Sequence, residues 1–319
     1  MSTNYRQASR QLEQHLKDME GCESLLSDAF DGIRRKGLTV LKAGANKTLD
    51  LAASGLQKAN TELIKIIGSR RLLISHLYNR YKKDDRAQID MVFPKTVMLK
   101  ATRDGNPDDL IPSVEVMNRN VEKVVKYGKE LEGYYQKELN FLKDITKIKT
   151  TEDAAELIRK MDDLKLPDVK LQSSNNSMSH SEDLPGGYNL SLNKDNGLWH
   201  VVSDEDHSAT EIEDNYSIAD ITSLLTKLNT LMSHYQDASK INDSYLKYLK
   251  TFNTVVTKSF QHLDSLKGEI STSLLNDLED RLNGNQTAFS FFFGSLPRVL
   301  VRLDDYVDTL TSHFSKQFN

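Results

Sequence analysis

Proline placement constrains this chain more than any other feature. The six prolines stand at 94, 107, 112, 167, 185 and 297, leaving uninterrupted runs of 93, 54 and 111 residues. A proline inside a helix costs about 3 kcal/mol or more, so long helices are expected within those runs. Periodicity agrees. Tyr5, Leu12, Met19, Leu26 and Ile33 recur every seven residues, with Ala8, His15, Cys22 and Ala29 between them, and predict a first helix. A second follows Gly37 through Leu38, Leu41, Ala45, Leu49, Leu56, Leu63 and Ile66 towards Tyr81. A third opens at Pro112-Ser113, where Ser113 can cap it, and runs through Met117, Val121, Leu131, Tyr135, Leu142 and Ile145. A short helix follows at Thr151–Met161.

The strongest signal spans 217–266. One register reads Ile218, Leu225, Met232, Ser239, Leu246, Asn253, Phe260; the other reads Ile221, Leu228, Tyr235, Asn242, Leu249, Val256, Leu263. Eleven of these fourteen positions are apolar. A single helix of that length would extend roughly 75 Å. Leu224, Leu231, Tyr245 and Phe252 widen the stripe, which suits packing between two or more neighbours.

Two stretches break the helical pattern. Residues 89–111 hold a short β-like run at 96–101 and turn chemistry at Asp104-Gly105-Asn106-Pro107. Residues 167–213 hold β-like pieces at 169–171, 188–192 and 198–202, and the polar stretch 173–183 reads as a mobile loop. The predicted fold class is therefore mainly α (α+β): an elongated multi-helix bundle with one small antiparallel β-sheet at one end. The divisions are a helical hairpin (1–88), a short β/turn insertion (89–112), a helical segment (113–165) and a β segment with its loop (166–213). A long helix and amphipathic tail (214–319) complete one or two domains.

Composition narrows the function. A lone Cys22 excludes an intrachain disulfide framework and a cysteine-based zinc or iron–sulfur cluster. A net charge of −4 is not that of a strongly basic nucleic-acid protein. No run of about 18 apolar residues exists to span a membrane, and the charged N-terminus lacks the apolar run of a secretion signal. A soluble chain made inside the cell is expected. Phosphate-loop, dinucleotide and nucleophile-elbow motifs are missing, and none of the eight histidines has a metal-ligand spacing. His15 and Cys22 fall on the first apolar stripe as core residues. Residues 104–115, DGNPDDLIPSVE, place oxygens at three calcium-loop positions and Glu115 at the twelfth. Asp109 stands where the turn glycine belongs, so an ordinary turn is expected. The chain is thus read as a non-enzyme without cofactor or metal.

Charge is segregated along it. Residues 32–86 carry 13 Lys/Arg against 4 Asp/Glu, and residues 150–220 carry 5 against 16. Arg34, Arg35, Lys36, Arg70, Arg71, Lys82 and Lys83 are the candidate contacts to phosphate, DNA or a partner. The competing reading is a basic face that pairs with the acidic stretch of the same protein or of another copy. Phe291, Phe292 and Phe293 precede an amphipathic run from Val299 to Phe314. Aromatics of that size anchor either a core or an interface.

At LPDVKL (166–171), LPGGYNLSL (184–192) and LWHVV (198–202) the chain resembles the internal head proteins of large tailed phages. In that family a long helical part, a β segment with a Leu-Pro-Gly-Gly turn before a strand, and a second long helical part follow in this order. Leu184-Pro185-Gly186-Gly187 matches the turn, and Phe93-Pro94 resembles an earlier strand entry. The resemblance implies a structural virion protein of the capsid interior, made in the host cytoplasm. It implies no catalytic residues, and contacts to capsid or other virion proteins, to itself or to packaged DNA. The alternative from the residues alone is a cytoplasmic helical scaffold or membrane-surface-binding module using the basic arm 34–83. A third reading is an enzyme whose site converges from distant positions.

Overall fold

The computed structural model describes residues 38–94, 110–165, 167, 172–173, 179–184, 188–193, 199–203, 211–281 and 290–318. The fold is mainly α. Its helices are α1 (Leu38–Tyr81), α2 (Leu110–Ile145), α3 (Thr151–Met161), α4 (Ile218–Ser265), α5 (Thr272–Arg281) and α6 (Leu296–Lys316), the last preceded by a π-helical turn at Ser290–Ser295. The helix predicted over 5–33 lies outside the described residues, as do 96–101, 104–109 and 169–171.

The helices begin and end where local chemistry tells them to. Ser217 caps α4: its hydroxyl accepts from the Asp220 N–H at 3.1 Å, and the Asp220 carboxylate accepts from the Ser217 N–H at 3.1 Å. Thr150 and Asp153 form the same reciprocal box on α3. Each such cap contributes about 1 kcal/mol. The chain leaves α4 through Gly268, whose φ of 98° suits glycine alone among ordinary residues. Pro297 sits in the first turn of α6, where its missing N–H costs nothing. Pro112 lies likewise in the first turns of α2, which starts at Leu110, two residues ahead of the expected Pro112.

Helix α4 is the spine. Glu115, Lys129 and Glu138 of α2 meet Lys227, Asp237 and Tyr248 of α4, so these two helices run parallel. Asn60 of α1 meets Asp243 while Arg71 meets Ser233, so α1 runs antiparallel to α4. Arg70 meets Asp304 and Tyr81 meets Phe314, which sets α6 parallel to α1. The wide stripe of α4 therefore does face several neighbours: Leu224, Leu228, Leu231, Tyr245 and Phe252 are all buried. Because α2 and α4 are parallel, the chain between them must travel back along the bundle, and residues 146–217 make that return.

Among the described residues the strands form two antiparallel sheets, where one was expected. β1 (Gln88–Pro94) pairs with β6 (Glu211–Ser217) from Gln88↔Ser217 to Pro94↔Glu211. The two interruptions of the helical pattern thus do meet, but through residues upstream of 96–101. Ile89, Met91 and Phe93 alternate inward, and Phe93 packs against Phe314 and Tyr216 at 5.7 and 6.0 Å. This ribbon closes the end of the bundle where α1 and α6 finish and α4 begins. The second sheet has the order β2 (Gln172–Ser173), β3 (Ser179–Leu184), β4 (Tyr188–Asn193), β5 (Trp199–Ser203). Strand β3 corrects the expectation of a loop over 173–183: its polar residues gain a ladder from β4, with Ser179↔Asn193 through Leu184↔Tyr188. Trp199, 2% exposed, docks this sheet onto the flank of the bundle against Tyr127 of α2 at 4.9 Å.

Candidate functional site

The basic arm is the sequence's main functional candidate, and α1 separates its members sharply. Arg34, Arg35 and Lys36 lie outside the described residues. Arg70 projects inward and is 3% exposed. Its Nε donates to Asp304 Oδ1 at 3.0 Å and its Nη1 to Asp308, both on α6. Arg71 lies across α4, donating to Gln236 Oε1 at 2.8 Å and Ser233 Oγ at 2.9 Å. These two guanidinium groups fix helix register. Lys82 and Lys83 are exposed where α1 ends, as are Lys58 and Lys65 on its outer face. Just beyond, Arg86 hydrogen-bonds Asp84 and holds that carboxyl at about 2, well below its ordinary value. Arg80 stacks over Phe318 at 3.9 Å. Of the seven candidate contacts, Lys82 and Lys83 are the two described ones that face water.

Among the described residues, Arg70 and Arg71 of the arm pair with α6 and α4 respectively. The reason is visible in retrospect. Asp304 lies between Leu300, Leu303 and Val307 on the apolar stripe of α6, and an acid there must bring a buried partner. Arg70 occupies the equivalent place on α1, between Ile66, Ile67 and Ile74. Reading charges off apolar stripes would have matched the two; counting net charge by segment did not.

Other buried polar groups also bridge helices. Ser239 Oγ donates to Asn60 Oδ1 at 2.8 Å, and Asn60 Nδ2 donates to Asp243 Oδ1 at 2.5 Å. Tyr248 Oη donates to Glu138 Oε2 at 3.0 Å, with Glu138 only 1% exposed. Burial pushes the phenols of Tyr235, Tyr245 and Tyr248 well above their ordinary value, so they stay neutral. His262 Nε2 lies 2.7 Å from the Ile148 carbonyl, tying the end of α4 to the α2–α3 turn.

The phenylalanines of the π-helical turn enter the core of this chain. Phe292 stacks on Tyr245 at 4.0 Å, and Phe291 meets Tyr127 and Trp199 edge-on at 5.2 and 5.4 Å. Both are fully buried. Phe293 belongs to the same turn, but its side chain is outside the described ones. Gly128 of α2 makes room for them: a Cβ there would lie 3.3 Å from Phe291 Cε1 and 3.4 Å from Ile241 Cδ1.

Among the described residues no three histidine, cysteine, aspartate or glutamate side chains gather as metal ligands, and no helix is long and apolar enough to cross a membrane. Glu115, the last position of the calcium-like stretch, is paired with Lys227 at 3.1 Å. What these contacts define is a mainly α bundle whose buried charges and amides join one helix to the next. No protein-family model, curated protein or solved structure matches the chain.

Proposed function

We propose that this protein is a non-catalytic structural component that acts by assembly contacts inside a phage capsid. One observation carries the assembly reading: Arg70, Asp304, Glu138 and Asn60, all buried, each join one helix to another. A scaffold spends such groups on shape. The capsid setting follows from the resemblance at 166–171, 184–192 and 198–202. Mass spectrometry of purified, DNA-filled particles made by the encoding genome should find the chain at a reproducible copy number. Its loss from particles on purification, with the protein left in the lysate, would sink the reading.

The exposed Lys82 and Lys83 favour a polyanion contact within the same reading. With Arg34, Arg35 and Lys36 they make five candidate phosphate contacts, for a log–log salt slope near −4 or −5 on duplex DNA. Changing Lys82 and Lys83 to Gln should flatten that slope by about 2 without altering the melting temperature. Wild-type protein that binds DNA without salt dependence, or not at all, would remove the DNA contact and leave the structural role. Co-sedimentation with anionic liposomes in place of DNA would instead favour the membrane-surface module.

A further inference from the structure

At the end of the bundle where α1 and α6 finish, an exposed arginine lies over an aromatic ring. Phe318 packs on Tyr81 with ring centroids 4.6 Å apart. Tyr81 is itself fully buried and donates to the Phe314 carbonyl at 2.6 Å, and Gln317 Nε2 donates to the Asp90 carbonyl at 3.2 Å. The ring is therefore held by α1 and β1 together. Two guanidinium groups meet it, at 3.9 Å for Arg80 and 5.7 Å for Arg86. Their commitments differ. Arg86 gives Nε and Nη2 to the Asp84 carboxylate at 2.9 and 2.6 Å. Among the described residues Arg80 meets no carboxylate, and it is exposed. Its charge is placed by the ring while its N–H groups stay uncommitted.

We propose, resting on the DNA contact above, that Arg80 is the fork that grips a phosphate of duplex DNA and that Phe318 is its positioning residue. A guanidinium offers two parallel N–H groups to two phosphate oxygens, a geometry an ammonium cannot reproduce. A long side chain ordinarily loses rotamer freedom to make such a pair. Contact with Phe318 removes part of that loss before the phosphate arrives, without occupying the donors. Lys83 follows Arg80 by three residues, its N–H bonding the Arg80 carbonyl at 3.1 Å, so the two side chains emerge within one turn. Lys82 is exposed beside them. Charge agrees as well. Asp84 is occupied by Arg86, which leaves Asp85 as the one other acid of residues 80–86 against three exposed cations, Arg80, Lys82 and Lys83. Asn79, Asp85 and Gln88, exposed around this corner, are polar, which suits a phosphate backbone in water and not the apolar boundary of a bilayer.

The test is salt-dependent binding of the full chain to duplex DNA of random sequence. Arg80→Lys keeps the charge and loses the fork, so affinity should fall by about tenfold, the effect of one charged hydrogen bond, at an unchanged salt slope. Phe318→Leu should reproduce that fall. The double variant Arg80→Lys/Phe318→Leu should bind no more weakly than Arg80→Lys alone, because the ring acts only through the arginine. Binding by Arg80→Lys as tight as that of wild type would overturn the proposal and leave the DNA contact standing. A Phe318→Leu loss that adds in full to the Arg80→Lys loss would overturn it too, since a ring with a merely structural part weakens both backgrounds equally. Wild-type protein that binds no duplex at low salt would overturn the DNA contact itself and the fork with it. Sedimentation of that protein with phosphatidylglycerol vesicles would then assign the corner to a membrane surface.

Discussion

Leu228→Pro should abolish the cooperative melt of this protein and lower its helical circular dichroism by far more than one turn. Leu228 is fully buried in α4, beside the Lys227 carbonyl that accepts from Asn118 Nδ2 at 3.2 Å. Proline there removes a helix hydrogen bond and clashes with the preceding turn, at about 3 kcal/mol or more. Loss of the leucine's packing adds about 2–5 kcal/mol. The two together rival the whole stability of an ordinary domain, about 5–15 kcal/mol. Leu228→Ala isolates the packing part: it should keep the fold and shift the denaturant midpoint by the smaller amount. An unaltered melt in the proline variant would mean that α4 does not run unbroken through residue 228.

The second large effect is at Arg70. Arg70→Ala should destabilise by about 3–5 kcal/mol, because Asp304, itself 2% exposed, loses the guanidinium that balances it in the core. Asp308 has nearly half its side chain in water and can rehydrate. The double variant Arg70→Met/Asp304→Leu should recover most of the loss, since the cost lies in the orphaned charge and not in the missing attraction. Urea midpoints for wild type, single and double variants decide it. Equal destabilisation of single and double variants would show that the pair is worth more than the apolar packing that can replace it.

The two predictions draw on different kinds of legibility. The course of α4 could be read from the chain because a 3.6-residue apolar period and a Ser217-x-x-Asp220 box are local signals. Helices α1, α3 and α6 were legible for the same reason. β6 was not: Glu211-Ile212-Glu213-Asp214 has nothing of a strand about it, and becomes one only because β1 supplies the ladder. β3, with Ser-His-Ser-Glu-Asp, is the same case beside β4. Strand propensity describes a neighbourhood, and here the neighbourhood is non-local. The alternation Ile89, Met91, Phe93 was present in the sequence, but the β-like run at 96–101 drew the assignment away from it. The candidate site divides along the same line. Lys82 and Lys83 reach solvent because the helix ends beneath them, a local matter. The fate of Arg70 depended on a carboxylate in a helix far down the chain.

That separation has a consequence in time. Asp304 is 234 residues beyond Arg70, and a ribosome adds about 5–20 residues per second. For on the order of 10–50 s after Arg70 emerges, its partner does not exist. Nor can α1 cover its apolar stripe until α4 is made, after the whole β segment. A nascent chain that has produced α1 and α2 is therefore a pair of amphipathic helices waiting for the one that joins them. It is in that interval, before α4 arrives, that the chain is most open to capture by a chaperone or by another copy of itself.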